Sequence, residues 1–227
     1  MVACGALFVV SAHNSQGTDL RPGRYVGLDG LVANEANQTK GLTNQVAQLQ
    51  QQIDQLSKEV PGRDVRAAQH RADALKSAAG LAPVRGAGLE ITLTDAPEKN
   101  MQGSPYQAAT YVVHQQDIQA VVNALWRGGA KAITIQGQRV VSTTGIKCSG
   151  STVSLQGVPY PEPFVIDAVG DPTQLQAGLD GDSYVNNYRA QSANPQIGIG
   201  WSDQVRSAIV APAYSGLTNL QYATPLG

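Results

Sequence analysis

The chain has 227 residues, of which 42% are hydrophobic and 15% charged, and its formal net charge is −1. That supplies enough apolar material for a packed core, excluding wholesale disorder, and leaves no basic excess to neutralise the phosphates of a nucleic acid. Aromatic residues make up 5%, too few for a base-stacking surface, and the two cysteines, Cys4 and Cys148, cannot build a disulfide framework.

The chain opens on an apolar stub, Met1–Val10, followed by a polar stretch, Ser11–Gly23. Ten residues are too few to cross a bilayer, which takes about 20. The stub therefore reads as the end of a membrane anchor, residues 1–24 forming that end and its polar exit. This predicts a single-pass protein in the cell membrane with its domain outside the cytoplasm. Met-Val-Ala-Cys at the start is similar to a lipoprotein cleavage box. A lipidated cysteine is usually followed by polar residues, however, and Gly5 to Val10 are apolar.

Residues 25–80 read as a helical stalk. With Tyr25, Val32, Thr39, Val46, Ile53 and Val60 at position a of a heptad, Leu28, Glu35, Leu42, Leu49 and Leu56 fall at d. β-Branched residues at a with leucine at d favour a parallel two-stranded coil. The seam Leu42, Val46, Leu49, Ile53 and Leu56 thus predicts self-association. Gln45, Gln50 and Gln52 beside it carry no charge code for a different partner. The competing reading is one amphipathic helix folded onto its own head. Pro61-Gly62 ends the helix, and a second helix is predicted over Asp64–Ala79, with Asp64 as its cap.

Residues 81–227 read as the globular domain. Leu89, Ile91 and Leu93 alternate with Glu90, Thr92 and Thr94, the period of a half-buried strand. Gly86 and Gly88 precede that strand instead of joining strand to helix, so they form no dinucleotide fingerprint. After a polar loop, Asp95–Pro105, comes a helix with Ile118, Val121, Val122, Leu125 and Trp126 on one face, ended by Gly128-Gly129. Trp126 is expected in the core. Ala132–Gln136 is a strand, so strand, helix and strand form a crossover unit. Arg139–Thr143 and Ile146–Cys148 read as extended, the latter pairing with Thr152–Leu155 in a hairpin. Phe164–Val169 is a buried strand, and Asp171-Pro172 starts a helix. Tyr184–Gln191 reads as another helix, with Ile197–Ile199 and Val205–Ala211 as closing strands. The predicted fold is α+β: a coiled-coil-like helix followed by a mixed-sheet, ferredoxin-like sandwich.

Val113-His-Gln-Gln-Asp-Ile118, Val122-Asn-Ala-Leu-Trp126, Gly129-Ala130 and Gln138-Arg139 resemble a bacterial family known as domain of unknown function 881. Cys148-Ser-Gly150, Pro163-Phe164 and Ala168-Val-Gly-Asp171 add to the resemblance, which covers about Val26 to Ala211. It implies a membrane-anchored envelope protein of actinobacterial type, with a coiled segment before the domain and no assigned reaction. It also implies partners among cell-division or cell-wall proteins.

No metal-ligand spacing links His13, His70 and His114, and neither a phosphate-binding loop nor a nucleophile elbow occurs. The sequence therefore predicts no metal, no cofactor and no catalytic residue. His114, Gln116, Asp117, Asn123 and Arg139 are the candidates for a groove that takes a ligand or partner. Asp117 has helix capping as its plain alternative, and Arg139 a surface salt bridge. The leading function is a non-enzymatic envelope scaffold or adaptor. A small-anion sensor acting through Arg139 is the alternative, with a cysteine-dependent enzyme using Cys148 and His114 behind it.

Overall fold

The computed structural model describes residues 26–60, 62–102, 105–149 and 152–216. The stub Met1–Val10 and the polar exit lie outside them. Contacts divide the chain at Leu42/Thr43 into two units, and the head lies within the second.

Helix α1, Val26–Glu59, covers 34 residues, and α2 spans Arg63–Lys76. Gly62 sits at the α2 N-cap with no side-chain cap, so Asp64 lies in the first turn and not at the cap position. The two helices meet through polar groups: Gln69 Nε2 donates to the Ser57 carbonyl, and Lys76 Nζ lies 3.4 Å from Asp54 Oδ2. Hydrophobic seam residues of α1 are left open, with Val46 40%, Leu49 58%, Ile53 54% and Leu56 62% exposed. The reading in which this edge folds onto the head and is covered there does not hold.

The predicted single-pass localisation is overturned: among the described residues no helix is long and apolar enough to cross a membrane. Helix α1 has the length, but outside its seam it carries glutamine, asparagine and charged side chains that hydrocarbon cannot solvate.

The head begins with β1, Val84–Thr94, followed by a short helix α3, Glu98–Met101, and a 3-10 turn at Ala108–Tyr111. Helix α4 spans Gln115–Arg127, and β2, Ala132–Ile135, turns into β3, Gln138–Val140. Strands β4, Ile146–Ser149, β5, Thr152–Leu155, and β6, Val158–Tyr160, form a separate three-stranded meander. Then come β7, Phe164–Val169, helices α5, Pro172–Asp180, and α6, Ser183–Ala193, and finally β8, Gly200–Ala211.

The main sheet has the order β3-β2-β7-β1-β8. Strand β7 is antiparallel to both β1 and β2, and β1 is antiparallel to β8. Hence β1 and β2 point the same way with β7 between them, and β7 and β8 point the same way with β1 between them. These are two interleaved split crossover units, β1-α4-β2 and β7-α5-α6-β8, which is the ferredoxin-like arrangement. Each crossover yields a parallel direction, yet every pair described is antiparallel, because a strand of the other unit fills the gap.

One sheet face is apolar. Leu89, Ile91, Ile133, Ile135 and Ile166 pack with Ile118, Val122, Leu125 and Leu175 of the helices in a single buried cluster. Burial of each such side chain stabilises by about 1.5–3 kcal/mol. On the opposite face Glu90 is paired in register with Asp167, and Asp167 with Thr134. A smaller cluster there joins Ala132, Val169, Ile209 and Ala211.

Two hairpins share one turn: Gln136-Gly137 and Gln156-Gly157 all have positive φ, the two-residue turn whose twist matches the strands. Glutamine tolerates this poorly. At Gln136 the side chain compensates, its Oε1 accepting from Val165 N at 2.9 Å and its Nε2 donating to the Pro163 carbonyl at 3.2 Å.

Two stretches differ from the sequence reading. Ile197 and Ile199 are buried but stand in a turn instead of a strand, with Gly198 between them at φ +67°. Strand β8 begins at Gly200, earlier than its apolar pattern suggests, because Ser202 to Ala208 are exposed on the outermost strand.

Candidate functional site

Arg139 is set by the β2–β3 hairpin at the sheet margin, opposite Thr134. It is only 5% exposed, and the expected surface salt bridge is absent among the described residues. Its Nη1 donates to two main-chain carbonyls, Ala82 at 3.1 Å and Pro212 at 3.0 Å. Tyr214 N donates to the Gly80 carbonyl at 2.9 Å, so the strand entering the sheet and the segment leaving it are tied side by side. The Arg139 Nε is buried without a hydrogen-bond partner among the described residues. Burial lowers the guanidinium pKa from its ordinary value, since the charged form is desolvated.

Arg139 lines a cleft of about 540 Å³ between the end of α2, one side of α4 and β3. Asn123, Gln119 and Trp126 of α4 and Lys131 face the same space. Trp126, expected in the core, is 38% exposed. At 100° per residue it stands about 80° round the helix from Ile118, on the margin of the apolar stripe and close in angle to Gln119. Helix periodicity thus carries the signal for this cleft wall, Trp126 lying on the cleft side of the stripe margin and not in the core.

His114 and Asp117 belong to a second, smaller depression of about 160 Å³, beside Tyr184 and Tyr188. Asp117 is buried, and its Oδ2 accepts from the His114 main-chain N at 2.7 Å. That is half of a capping box at the N-terminus of α4. The Tyr184 hydroxyl donates to Asp117 Oδ1 at 2.8 Å, tying α6 to the start of α4. Burial, then the adjoining Asp117 carboxylate, pushes the Tyr184 phenol up to about 12. Asp117 is thus occupied by structural bonds.

Gln116 and Asn123 share a third, shallow depression with Arg127 and Asp182, which form an ion pair. The five candidates therefore do not line one groove. Arg139 and Asn123 meet in the large cleft, His114 and Asp117 in the small one, and Gln116 reaches only the third. Tyr184 and Lys131 were missed, because nothing in their local sequence marks the segments they face.

Cys148 is exposed, and its Sγ accepts from Gln115 N at 3.2 Å while its own N donates to Gln115 Oε1 at 2.9 Å. This double contact docks the meander onto the start of α4. No group of three His, Cys, Asp or Glu side chains able to hold a metal occurs among the described residues.

Residues 71–224 match the family described as bacterial protein of unknown function (DUF881). The chain is 41% identical over 100 residues to UPF0749 protein YlxW of Bacillus subtilis (strain 168), covering 43% of this chain and 41% of that protein. It is 32% identical over 161 residues to UPF0749 protein Rv1823 of Mycobacterium tuberculosis (strain ATCC 25618 / H37Rv), covering 69% of this chain and 52% of that one. It therefore spans about half the length, or less, of these relatives. In fold it is similar to the crystal structure of an uncharacterized conserved protein from Mycobacterium tuberculosis. That likeness has a TM-score of 0.50 at 22% identity, covering 69% of this chain and 99% of the other.

Proposed function

The chain belongs to the bacterial family of unknown function DUF881, or UPF0749, and on that premise we propose that it is a non-enzymatic scaffold or adaptor. It pairs with a second copy of itself through α1 and offers its head to another protein. The observation that carries this reading is the open seam, with Val46, Leu49, Ile53 and Leu56 all 40% or more exposed. Unpaired apolar side chains at heptad spacing favour a facing helix of the same pattern. The 34 residues of α1 give nearly five heptads of helix, of which the stretch Leu42–Leu56, just over two heptads, keeps an unbroken apolar a and d pattern. Interrupting residues at Glu35 and Thr39 weaken the N-terminal part, so the pairing is concentrated from Leu42 to Leu56.

The resemblance given by the α4 region supports placing the other partner among cell-division or cell-wall proteins. Capping of α4 by Asp117 supports a structural role for the most polar cluster, without a reaction of its own.

Sedimentation equilibrium of the whole chain tests the self-association. A concentration-dependent dimer is expected, and Leu49→Asp with Ile53→Asp reduces it to monomer while the melting of the head is unchanged. A monomeric parent across the concentration range would refute the reading.

A further inference from the structure

The cleft beside Arg139 has a charge character that the scaffold reading does not use. Among the described residues its walls carry two cations, Lys131 and Arg139, and no carboxylate, in a chain whose formal net charge is −1. Lys131 forms no ion pair among the described residues. Arg139 is only 5% exposed, yet among the described residues its hydrogen-bond acceptors are neutral carbonyls and its Nε has none. A buried cation without a counter-charge is a costly arrangement unless an anion is supplied. The main-chain carbonyls at the end of α4 are neutral and supply no counter-charge.

We infer that this cleft binds a small organic anion through its carboxylate or phosphate group, held between Lys131 and Arg139 with the ligand's carbon skeleton against Trp126. The volume, about 540 Å³, suits a small molecule. Ser77, Ser142 and Asn123 on the rim are hydroxyl and amide groups that can complete the shell of an oxyanion. Trp126, 38% exposed, gives a flat apolar wall. The proposal stands apart from dimerisation, since none of the α1 seam residues lines the cleft.

The chain has two tryptophans, so Trp201→Phe leaves Trp126 as the sole indole reporter in the full-length protein. Its fluorescence is titrated with inorganic phosphate and with succinate at constant ionic strength, against chloride. A saturable response to either anion is expected, and whichever saturates identifies the group recognised. Arg139→Gln risks releasing the Ala82 and Pro212 carbonyls and loosening the fold, so the deciding variants are two exposed residues. Lys131→Gln weakens binding about two- to fivefold, the worth of a partly exposed ion pair. Asn123→Asp places a negative charge in the cleft and weakens it about fivefold or more. A linear response, one reproduced by chloride, or an affinity unchanged from the parent in both variants would overturn the inference.

Discussion

Gly178→Ala sets two opposed effects against each other in one methyl group. Within a helix, alanine is intrinsically better than glycine by up to about 1 kcal/mol, and Gly178 stands in the last turn of α5. At Gly178, however, an added Cβ would lie 2.5 Å from the Ala124 carbonyl oxygen and 2.8 Å from both Cα and N of Gly128. All three are backbone atoms of α4 or its cap, so no side-chain rotation relieves the overlap. The reverse contact is equally tight, since a Cβ on Gly128 would lie 2.7 Å from the Gln174 carbonyl oxygen. Forcing such helices apart typically costs about 1–3 kcal/mol, and more where backbone blocks relaxation. The clash therefore outweighs propensity, and the head loses about 1–2 kcal/mol net, a fall in Tm of about 2–8 °C. Gly41→Ala is the matched control: nothing among the described residues lies within 4 Å of its added Cβ, and it strengthens α1. Thermal melts and far-UV circular dichroism read both variants. A Gly178→Ala protein melting at or above the parent would refute the close approach of α4 and α5. That approach fixes the end of α4 on which Asn123 and Trp126 stand.

Asp117→Ala removes the acceptor of both His114 N and the Tyr184 hydroxyl, and destabilises the head by about 1–2 kcal/mol in urea unfolding. An unchanged midpoint would mean that Asp117 does not cap α4. Asp167 has its pKa raised, first by burial and then by nearby Glu90, with the Thr134 bond and Arg206 opposing. Because the folded value exceeds the unfolded one, near 3.8, this group's contribution is complete below that value. It is lost as pH rises through the folded pKa. Asp167→Asn should therefore gain stability relative to the parent as pH rises from the acid side to neutrality, and parallel stability curves would contradict this.

Much of the head was legible because its patterns are local. The alternation of Leu89, Ile91 and Leu93 marks one sheet face, and Ile118, Val121, Val122 and Leu125 recur at helical spacing. Asp171 before Pro172 caps α5 as its chemistry requires, accepting from Thr173 N at 2.8 Å. The environment of Arg139 was not legible. Alternation places it opposite Val140, on a face that an open sheet would leave to water. Here Ala82 and Pro212, 57 and 73 residues away in the chain, cover it. Strand β8 is longer than its apolar pattern Val205–Ala211 for a related reason: an edge strand exposed from Ser202 to Ala208 has no apolar face to reveal it. Ile197 and Ile199 misled in the opposite way, their burial being real and their strand geometry not. Gly198, with positive φ, turns the chain between them.

The central claim is that α1 meets a twin helix in parallel and in register. Its most direct test replaces Leu49 by Cys in a chain whose Cys4 and Cys148 are changed to Ser, and oxidises it mildly at a concentration where sedimentation shows the dimer. A parallel coil brings the two d-position sulfurs face to face, so the account predicts a disulfide-linked dimer, with the same substitution at Gln52 crosslinking far less. Persistence of Leu49→Cys as monomer, or equal crosslinking from the two positions, would contradict it.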